Sequence, residues 1–283
     1  VKRRGLTVTS LALTSAIALS GCSGAFSRGL LPHGVTDQSG RITSLWTGSW
    51  WAALGVGVLV WGLILWCVVA YRRRRDDVGL PVQLRYNVPI EILYTVVPLF
   101  MIAVLFFYTA RDETAVLDIS KKPDVTVNVV GKQWSWDFNY VDAGTFESGT
   151  QAELTGQPGV AATLPALYLP VNKRVEFVLT ARDVIHSFWV PQFLMKMDIL
   201  PGKVNRFQIK PTEIGVFQGK CAELCGTYHS QMLFQVKVVS QSDFDSHMSA
   251  LKAQGNLGML DNSLSRSKIE PGDQQFLPKA GGS

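Results

Sequence analysis

The sequence predicts a membrane-anchored all-β protein: a two-helix transmembrane hairpin, then a β-barrel domain, then one C-terminal helix. Three observations predict it. Two long apolar runs flank a block of arginines at residues 72–75. Short alternating, β-branched runs separated by turn residues fill much of the chain after Arg111. A run with helical spacing follows the last of them. Apolar runs of about 20 residues are long enough to cross a bilayer. Several short strands punctuated by turns indicate a sandwich or barrel.

Charge divides the chain at the same place. Residues 1–111 carry 11 Lys/Arg and 4 Asp/Glu, a net of +7. Residues 112–283 carry 16 and 18, a net of −2. The overall +5 is therefore a topology signal of the apolar third and not a phosphate-binding surface. The four cysteines, Cys22, Cys67, Cys221 and Cys225, lie in unlike surroundings. That argues against a disulfide framework and leaves one lipid site, one thiol within an apolar run and one functional pair.

Lys2, Arg3 and Arg4 precede a short apolar stretch at residues 6–19, the form of an export signal. It ends in Leu19-Ser20-Gly21-Cys22, which resembles the lipobox of bacterial lipoproteins, whose cysteine becomes the lipidated first residue. Residues 1–21 are accordingly read as a signal peptide that is removed, Cys22 as the lipidation site and 22–45 as an extracytoplasmic segment. Residues 46–71 form the first span, with Trp46, Trp50 and Trp51 as an interfacial belt at its start. The arginine block marks its cytoplasmic end. Residues 88–108 form the second span; Pro89 suits its first turn, and Pro98 is expected to kink it. The hairpin (46–111) puts both ends of the mature chain outside a bacterial cell membrane, in agreement with an exported N-terminus. Glu91, near the cytoplasmic end, either reaches headgroups and water or serves a function.

In the exported part, 112–255, strands are expected at residues 125–130, 174–180, 184–190, 204–210, 215–219 and 233–239. Residues 143–165, rich in Gly, Thr and Ala, read as an insertion or long loop. Residues 242–254 read as a helix with Phe244, Met248 and Leu251 on one side. The Gly, Ser, Pro and Gln content of 256–283 predicts a loosely attached tail.

The segment Cys221-Ala222-Glu223-Leu224-Cys225-Gly226-Thr227-Tyr228-His229-Ser230-Gln231-Met232 carries the chemistry. Soft sulfur with imidazole suits copper or zinc, not magnesium or calcium. Methionine discriminates: zinc sites use Cys, His and carboxylate, whereas a weak thioether ligand is a copper device. Two thiolates can bridge two metals, each of which then needs its own nitrogen. The only other histidines are His33, His186 and His247. His33 precedes the first span and His247 sits on the terminal helix. His186, in a strand-like run between polar turns, is the natural second imidazole.

With these residues assembled, the chain resembles subunit 2 of the haem–copper cytochrome c oxidases over residues 45–252. The motifs are Gly131-Lys132-Gln133-Trp134-Ser135-Trp136, Asp183-Val184-Ile185-His186-Ser187-Phe188-Trp189, Leu200-Pro201-Gly202 and the cysteine loop. The resemblance implies a cupredoxin-like barrel holding the binuclear copper A centre. It implies Cys221 and Cys225 as bridges, His186 and His229 as nitrogen ligands and Met232 as a weak ligand. Glu223 is implied to bind copper through its carbonyl, with its side chain toward a magnesium shared with the catalytic subunit. Trp134 matches the point of electron entry from a c-type cytochrome, and Glu91 the mouth of a proton channel. The implied activity is electron entry for dioxygen reduction in a haem-bearing catalytic partner, coupled to proton pumping. The usual acidic landing surface is thin, since Lys132 and Arg182 flank the Trp134 and His186 motifs. That points to a tethered donor, such as a cytochrome domain of a bc-type complex. The competing reading is an exported membrane-bound copper-delivery lipoprotein, which explains the thiols and Met232 but requires neither the hairpin nor Trp134. A quinol oxidase subunit would lack the copper ligands.

Overall fold

The computed structural model describes residues 23–73, 79–80, 83–152, 164–260 and 268–277. The signal peptide, Cys22 and much of the arginine block lie outside the described residues. The chain forms two compact units.

The first unit holds residues 23–30 and 41–114 among those described. It contains a short helix, α1 (Ser23–Ser27), and two long ones, α2 (Ser39–Ala70) and α3 (Val88–Val116). The long helices are strongly apolar, and their most apolar stretches bury nothing within the chain itself. Side chains such as Trp61, Leu65, Phe100 and Phe106 are more than half exposed. Apolar surface of that extent needs lipid or partner helices. α3 runs on through Pro98. Asn87 Oδ1 accepts from the Ile90 N–H at 3.4 Å, while Glu91 Oε1 accepts from the Asn87 N–H at 2.8 Å. This reciprocal pair satisfies donors that the first helical turn leaves orphaned. Farther along, Asp112 is buried between Arg41 and Arg111, each at 2.9 Å.

The second unit holds Leu31–Gly40 and the chain from Ala115 onward. It is a cupredoxin-like sandwich of two five-stranded sheets. The strands are β1 (Val125–Lys132), β2 (Ser135–Tyr140), β3 (Thr145–Ser148), β4 (Ala166–Pro170), β5 (Val175–Ala181), β6 (His186–Val190), β7 (Met195–Ile199), β8 (Asn205–Ile209), β9 (Gly215–Cys221) and β10 (Leu233–Val239). The sheet orders are β3-β2-β1-β5-β8 and β4-β10-β9-β6-β7, with β1/β5 and β4/β10 parallel.

Alternation builds the core. Val127, Val129, Trp136, Phe138, Tyr140, Phe177 and Leu179 face inward from the first sheet, against Leu167, Phe188, Phe234 and Val236 from the second. Each such fully buried large side chain contributes about 1.5–3 kcal/mol. Trp136, Phe138 and Phe188 all pack on the Phe234 ring at centroid distances of 5.0–5.7 Å. A terminal helix, α4 (Gln241–Ala253), buries Phe244, Met248 and Leu251, the three residues its periodicity marks, and is capped by Ser240.

The other face of the first sheet is also buried, although it is polar. Asn128 donates to the Val178 carbonyl at 2.9 Å, Asn139 donates to Asn128 Oδ1 at 2.9 Å, and Gln208 donates to Glu176 at 2.9 Å. Two segments that composition does not mark as structured lie on this unit. Val35 is buried, its N–H donating to the Gln192 carbonyl at 3.0 Å. The described parts of the tail are tied down as well. Leu260 N–H donates to Asn139 Oδ1 at 2.9 Å and Val204 N–H to Asp273 at 3.0 Å. Composition predicts looseness because the tail has little to bury. It cannot reveal a buried polar sheet face whose acceptors need donors.

Candidate metal centre

The site lies at one end of the sandwich, where β6 begins and β9 stops. β6 and β9 pair with Phe188 opposite Cys221. His186, two residues before Phe188, shares its inward face by strand alternation. Cys221 is the last residue of β9, and the loop to β10 returns Cys225, His229 and Met232 to the same place. The Cys221 N–H donates to the Met232 carbonyl at 3.1 Å, which closes the loop.

The donor atoms form an unbroken series. His186 Nδ1 lies 3.9 Å from Cys221 Sγ, which lies 3.9 Å from Cys225 Sγ. Cys225 Sγ lies 3.5 Å from His229 Nδ1 and 3.7 Å from Met232 Sδ. The Glu223 carbonyl lies 3.2 Å from Cys221 Sγ. His186, Cys221, Cys225 and Met232 are buried, and His229 is partly so. The donor atoms of His186, Cys221 and Cys225 all fall within 4.8 Å of one another. A disulfide would bring the sulfurs to about 2.05 Å, so these are two separate thiols.

Their electrostatics call for a cation. Burial opposes ionisation of Cys221, yet its contact with His186 holds it below the ordinary thiol value. Burial, and then the charge on Cys221, pushes Cys225 up to about 12. Two thiolates this close cannot both ionise unaided. A soft metal ion bound by both removes that conflict. The donor set of thiolates, imidazoles and a thioether fits copper.

A supporting layer surrounds the donors, and motif spacing did not disclose it. Burial disfavours charge on Asp183, but its hydrogen bond with His186 and the N–H groups of Gln133 and Val184 hold it below the ordinary carboxylate range. Asp183 Oδ1 accepts from His186 Nε2 at 2.8 Å and Oδ2 accepts from the Gln133 N–H at 2.8 Å. A carboxylate that accepts a hydrogen bond from Nε2–H leaves the Nδ1 lone pair facing the sulfurs. Gly131 lets the ring lie close against β1, since a Cβ there would stand 2.8 Å from His186 Cδ2. Gln133 Nε2 and Trp134 Nε1 both donate to the Cys225 carbonyl, at 2.8 and 3.2 Å. Trp136 Nε1 donates to the Met232 carbonyl at 3.3 Å. Trp134 is partly exposed and packs edge-on against Tyr228, with centroids 5.0 Å apart. The Gln133–Trp134 peptide is cis. Lys132 and Arg182 turn onto the fully buried Asp137, at 2.6 and 3.2 Å.

The remaining predicted residues fall elsewhere. Glu223 is exposed beside the buried sulfurs. Glu91 lies at the start of α3, in the other unit. His33 pairs with Glu213 at 2.7 Å, and His247 stacks on Tyr168 at 3.5 Å, so neither histidine belongs to the donor series. Within the 143–165 stretch, β3 extends the first sheet beside β2, and Gln151 Nε2 donates to Gln231 Oε1 at 3.1 Å. Residues 153–163 lie outside the described residues.

The family model for "Cytochrome C oxidase subunit II, periplasmic domain" matches residues 125–239. The "Probable cytochrome c oxidase subunit 2" of Streptomyces avermitilis is 49% identical, covering 92% of this chain and 91% of that protein. The chain belongs to the cytochrome c oxidase subunit 2 family. "Cytochrome c oxidase subunit 2" of Mycobacterium bovis is 36% identical, covering 87% of this chain and 81% of the relative. Among solved structures, the periplasmic domain of subunit II of cytochrome oxidase from Bradyrhizobium japonicum is 34% identical, with a TM-score of 0.42. It covers 47% of this chain and 97% of that one. Membership makes the chain the electron-entry subunit of a haem–copper oxidase and a membrane subunit, and the family implies a copper A centre.

Proposed function

We propose that Cys221, Cys225, His186, His229, Met232 and the Glu223 carbonyl hold a binuclear copper centre at the point where electrons enter the oxidase. The observation that carries this is the unbroken series of soft donors, every step 3.9 Å or less, with two sulfurs at its middle. When bound, the metal pair supplies one-electron redox chemistry, the electron being shared across the thiolates. The chain's own residues do the rest. Asp183 fixes the His186 ring, Gly131 makes room for it, and two paired strands hold the donors so that they need not rearrange. Trp134 connects the surface to the Cys225 backbone through its indole N–H. The exposed Glu223 side chain is left to reach a magnesium shared with the catalytic subunit, whose haem receives the electron.

Purified oxidase should contain two coppers in this subunit and show the multi-line paramagnetic spectrum of one electron shared by two copper nuclei. The spectrum of a single isolated copper would overturn the reading in favour of copper delivery. Glu223→Gln should keep that spectrum, because the carbonyl is the donor, while lowering bound magnesium. Unchanged magnesium would remove Glu223 from that site.

The electron donor is a c-type cytochrome, and the charges beside Trp134 favour one held in place by its own complex, such as a bc-type partner. Lys132 and Arg182 set two cations on the one buried Asp137 carboxylate, so this edge adds no negative charge to steer a basic protein. Turnover with a small soluble basic cytochrome should depend only weakly on salt; a steep loss on raising salt would refute this. Trp134→Phe should slow reduction by the cytochrome and spare reduction by a small-molecule reductant, and equal slowing by both would argue against Trp134 as the entry point.

The proposed chain organisation follows the sequence: 1–21 removed, 22–45 extracytoplasmic, 46–111 the hairpin, 112–255 the copper domain and 256–283 the tail. The copper domain faces the extracytoplasmic side of a bacterial cell membrane. Cys22 is anchored through a thioether: its sulfur forms a bond to a diacylglyceryl carbon as the bond from that carbon to phosphate oxygen breaks, and the thiol proton leaves with the phosphate-bearing alcohol. Glu91 is proposed as the entrance of a proton path. Glu91→Gln retains an acceptor for the Asn87 N–H but no charge, and should slow proton uptake by the oxidase with α3 intact. Full activity in that variant would leave Glu91 as a helix cap alone.

A further inference from the structure

The first unit contains an apolar groove that the oxidase chemistry does not use. α1 ends in a tight turn, with Gly29 N–H donating to the Phe26 carbonyl at 3.0 Å and Leu30 N–H to the Ala25 carbonyl at 2.8 Å. Gly29 has φ +58°, and a Cβ there would stand 2.8 Å from Trp46 Nε1. Only glycine lets the turn lie this close to α2, where Trp46 Nε1 donates to the Gly29 carbonyl at 2.8 Å. Trp50 stands edge-on to Trp46, with centroids 5.8 Å apart. Between turn and helix lies a cavity of about 590 Å³, walled chiefly by Phe26, Leu30, Thr47, Trp50, Trp51 and Leu54. None of its lining residues is charged. Leu30 and Trp51 are 70% and 74% exposed, so the groove is open along one side.

We infer that this groove seats an acyl chain of the lipid carried by Cys22. The inference rests on lipidation at Cys22, proposed above. Covalent geometry supplies the reach. Cys22 adjoins Ser23, the first residue of α1, at about 3.8 Å between Cα atoms. Phe26, on the groove wall, follows within about one helical turn, ~5.4 Å of rise. A lipid on that residue is therefore tethered only four residues from a side chain of the groove wall, whereas any other lipid must be recruited from the bilayer. Tethering raises its effective concentration over that of free competitors. The chemistry agrees: the uncharged, indole-rich wall suits a hydrocarbon chain. The indoles belong to the tryptophan belt at the start of the span, the depth at which ester-linked chains begin. The volume lies within the ~300–1,000 Å³ usual for sites that enclose a small molecule. The lipid then clamps the α1 turn onto α2 as well as anchoring the N-terminus.

The test uses the complete oxidase, purified from membranes, with benzoylphenylalanine replacing Leu54, or Thr47 should the first replacement fail to assemble. After irradiation and digestion, mass spectrometry should find the probe peptide joined to an acyl chain of the lipidated N-terminal peptide. The same probe at Val69, an exposed position far along α2, should give no such product. A lipidated Cys22 with cross-links only to free phospholipid or to another subunit, or with none, would overturn the groove assignment and leave the lipid anchor standing. An unmodified Cys22 would overturn both.

Discussion

Cys225→Ser should leave a folded subunit that has lost its binuclear centre. The hydroxyl is harder than a thiolate and is not ionised at neutral pH, so it cannot bridge two soft metals. Cys225 Sγ is the junction of the donor series, in contact with Cys221, His229 and Met232. No other described side chain stands at its place. Losing an outer hydrogen-bonding partner of a metal ligand typically costs about 10–100-fold in affinity or activity; losing the junction itself should cost more than ~100-fold in cytochrome-driven turnover. The structural penalty is smaller. An unsatisfied buried hydroxyl costs about 1–3 kcal/mol, against a core built from both sheets and α4. Met232→Leu is the companion variant, since it keeps volume at a cost usually below about 1.5 kcal/mol and leaves both bridges. It should retain the shared-electron spectrum with a changed potential, because a weak thioether tunes such centres. Two coppers and normal turnover in Cys225→Ser would exclude the bridging role.

The contrast between these two residues shows what could be read in advance. Cys225 and Met232 were legible because their chemistry is local: soft ligands crowd one loop, and few residue types serve any other purpose there. His186 was legible by deficit, since two metals sharing two thiolates need a second imidazole. The spans were legible because an apolar run longer than a bilayer has few other uses. Asp183, Gly131 and Gln133 lie within the motifs, but spacing alone gives them no role. Their roles arise only when β1 and β6 come together, more than 50 residues apart in the chain. A glycine in a strand pattern warns of close approach without naming what approaches. β3 lies inside the 143–165 stretch and β4 just behind it, and β2 was hidden because its outward residues Ser135, Asp137 and Asn139 are polar and nonetheless buried. The segment 31–40 was missed for a similar reason. Val35 stands between Gly34 and Thr36 with no apolar periodicity around it, and its burial depends on backbone bonds to residues 192 and 212.

The supporting layer can be tested at the His186 ring from its two sides. Gly131→Ala puts a methyl group 2.8 and 3.0 Å from two ring atoms, and 3.2 Å from Cβ, of a side chain with no solvent exposure. Retreat of the ring would break its 2.8 Å bond to Asp183 or carry Nδ1 away from Cys221. The overpacking should cost about 1–3 kcal/mol of stability, and the displaced nitrogen about 10–100-fold in copper affinity. Asp183→Asn acts from the opposite edge without adding volume. The amide presents either an acceptor without charge or a donor, and a donor would favour the wrong tautomer, with the proton on Nδ1 and no lone pair for metal. Its stability should stay near that of the parent while copper affinity falls by a comparable ~10–100-fold. Because both changes act on one imidazole, the double variant should lose much less affinity than the product of the single losses. Copper titration against a competing chelator, together with the paramagnetic spectrum, measures all three proteins. Full additivity would mean that Gly131 and Asp183 act on different groups. Unchanged affinity in Asp183→Asn would mean that β6 alone aims His186, and that the carboxylate serves only to tie the Gln133 backbone beside Trp134.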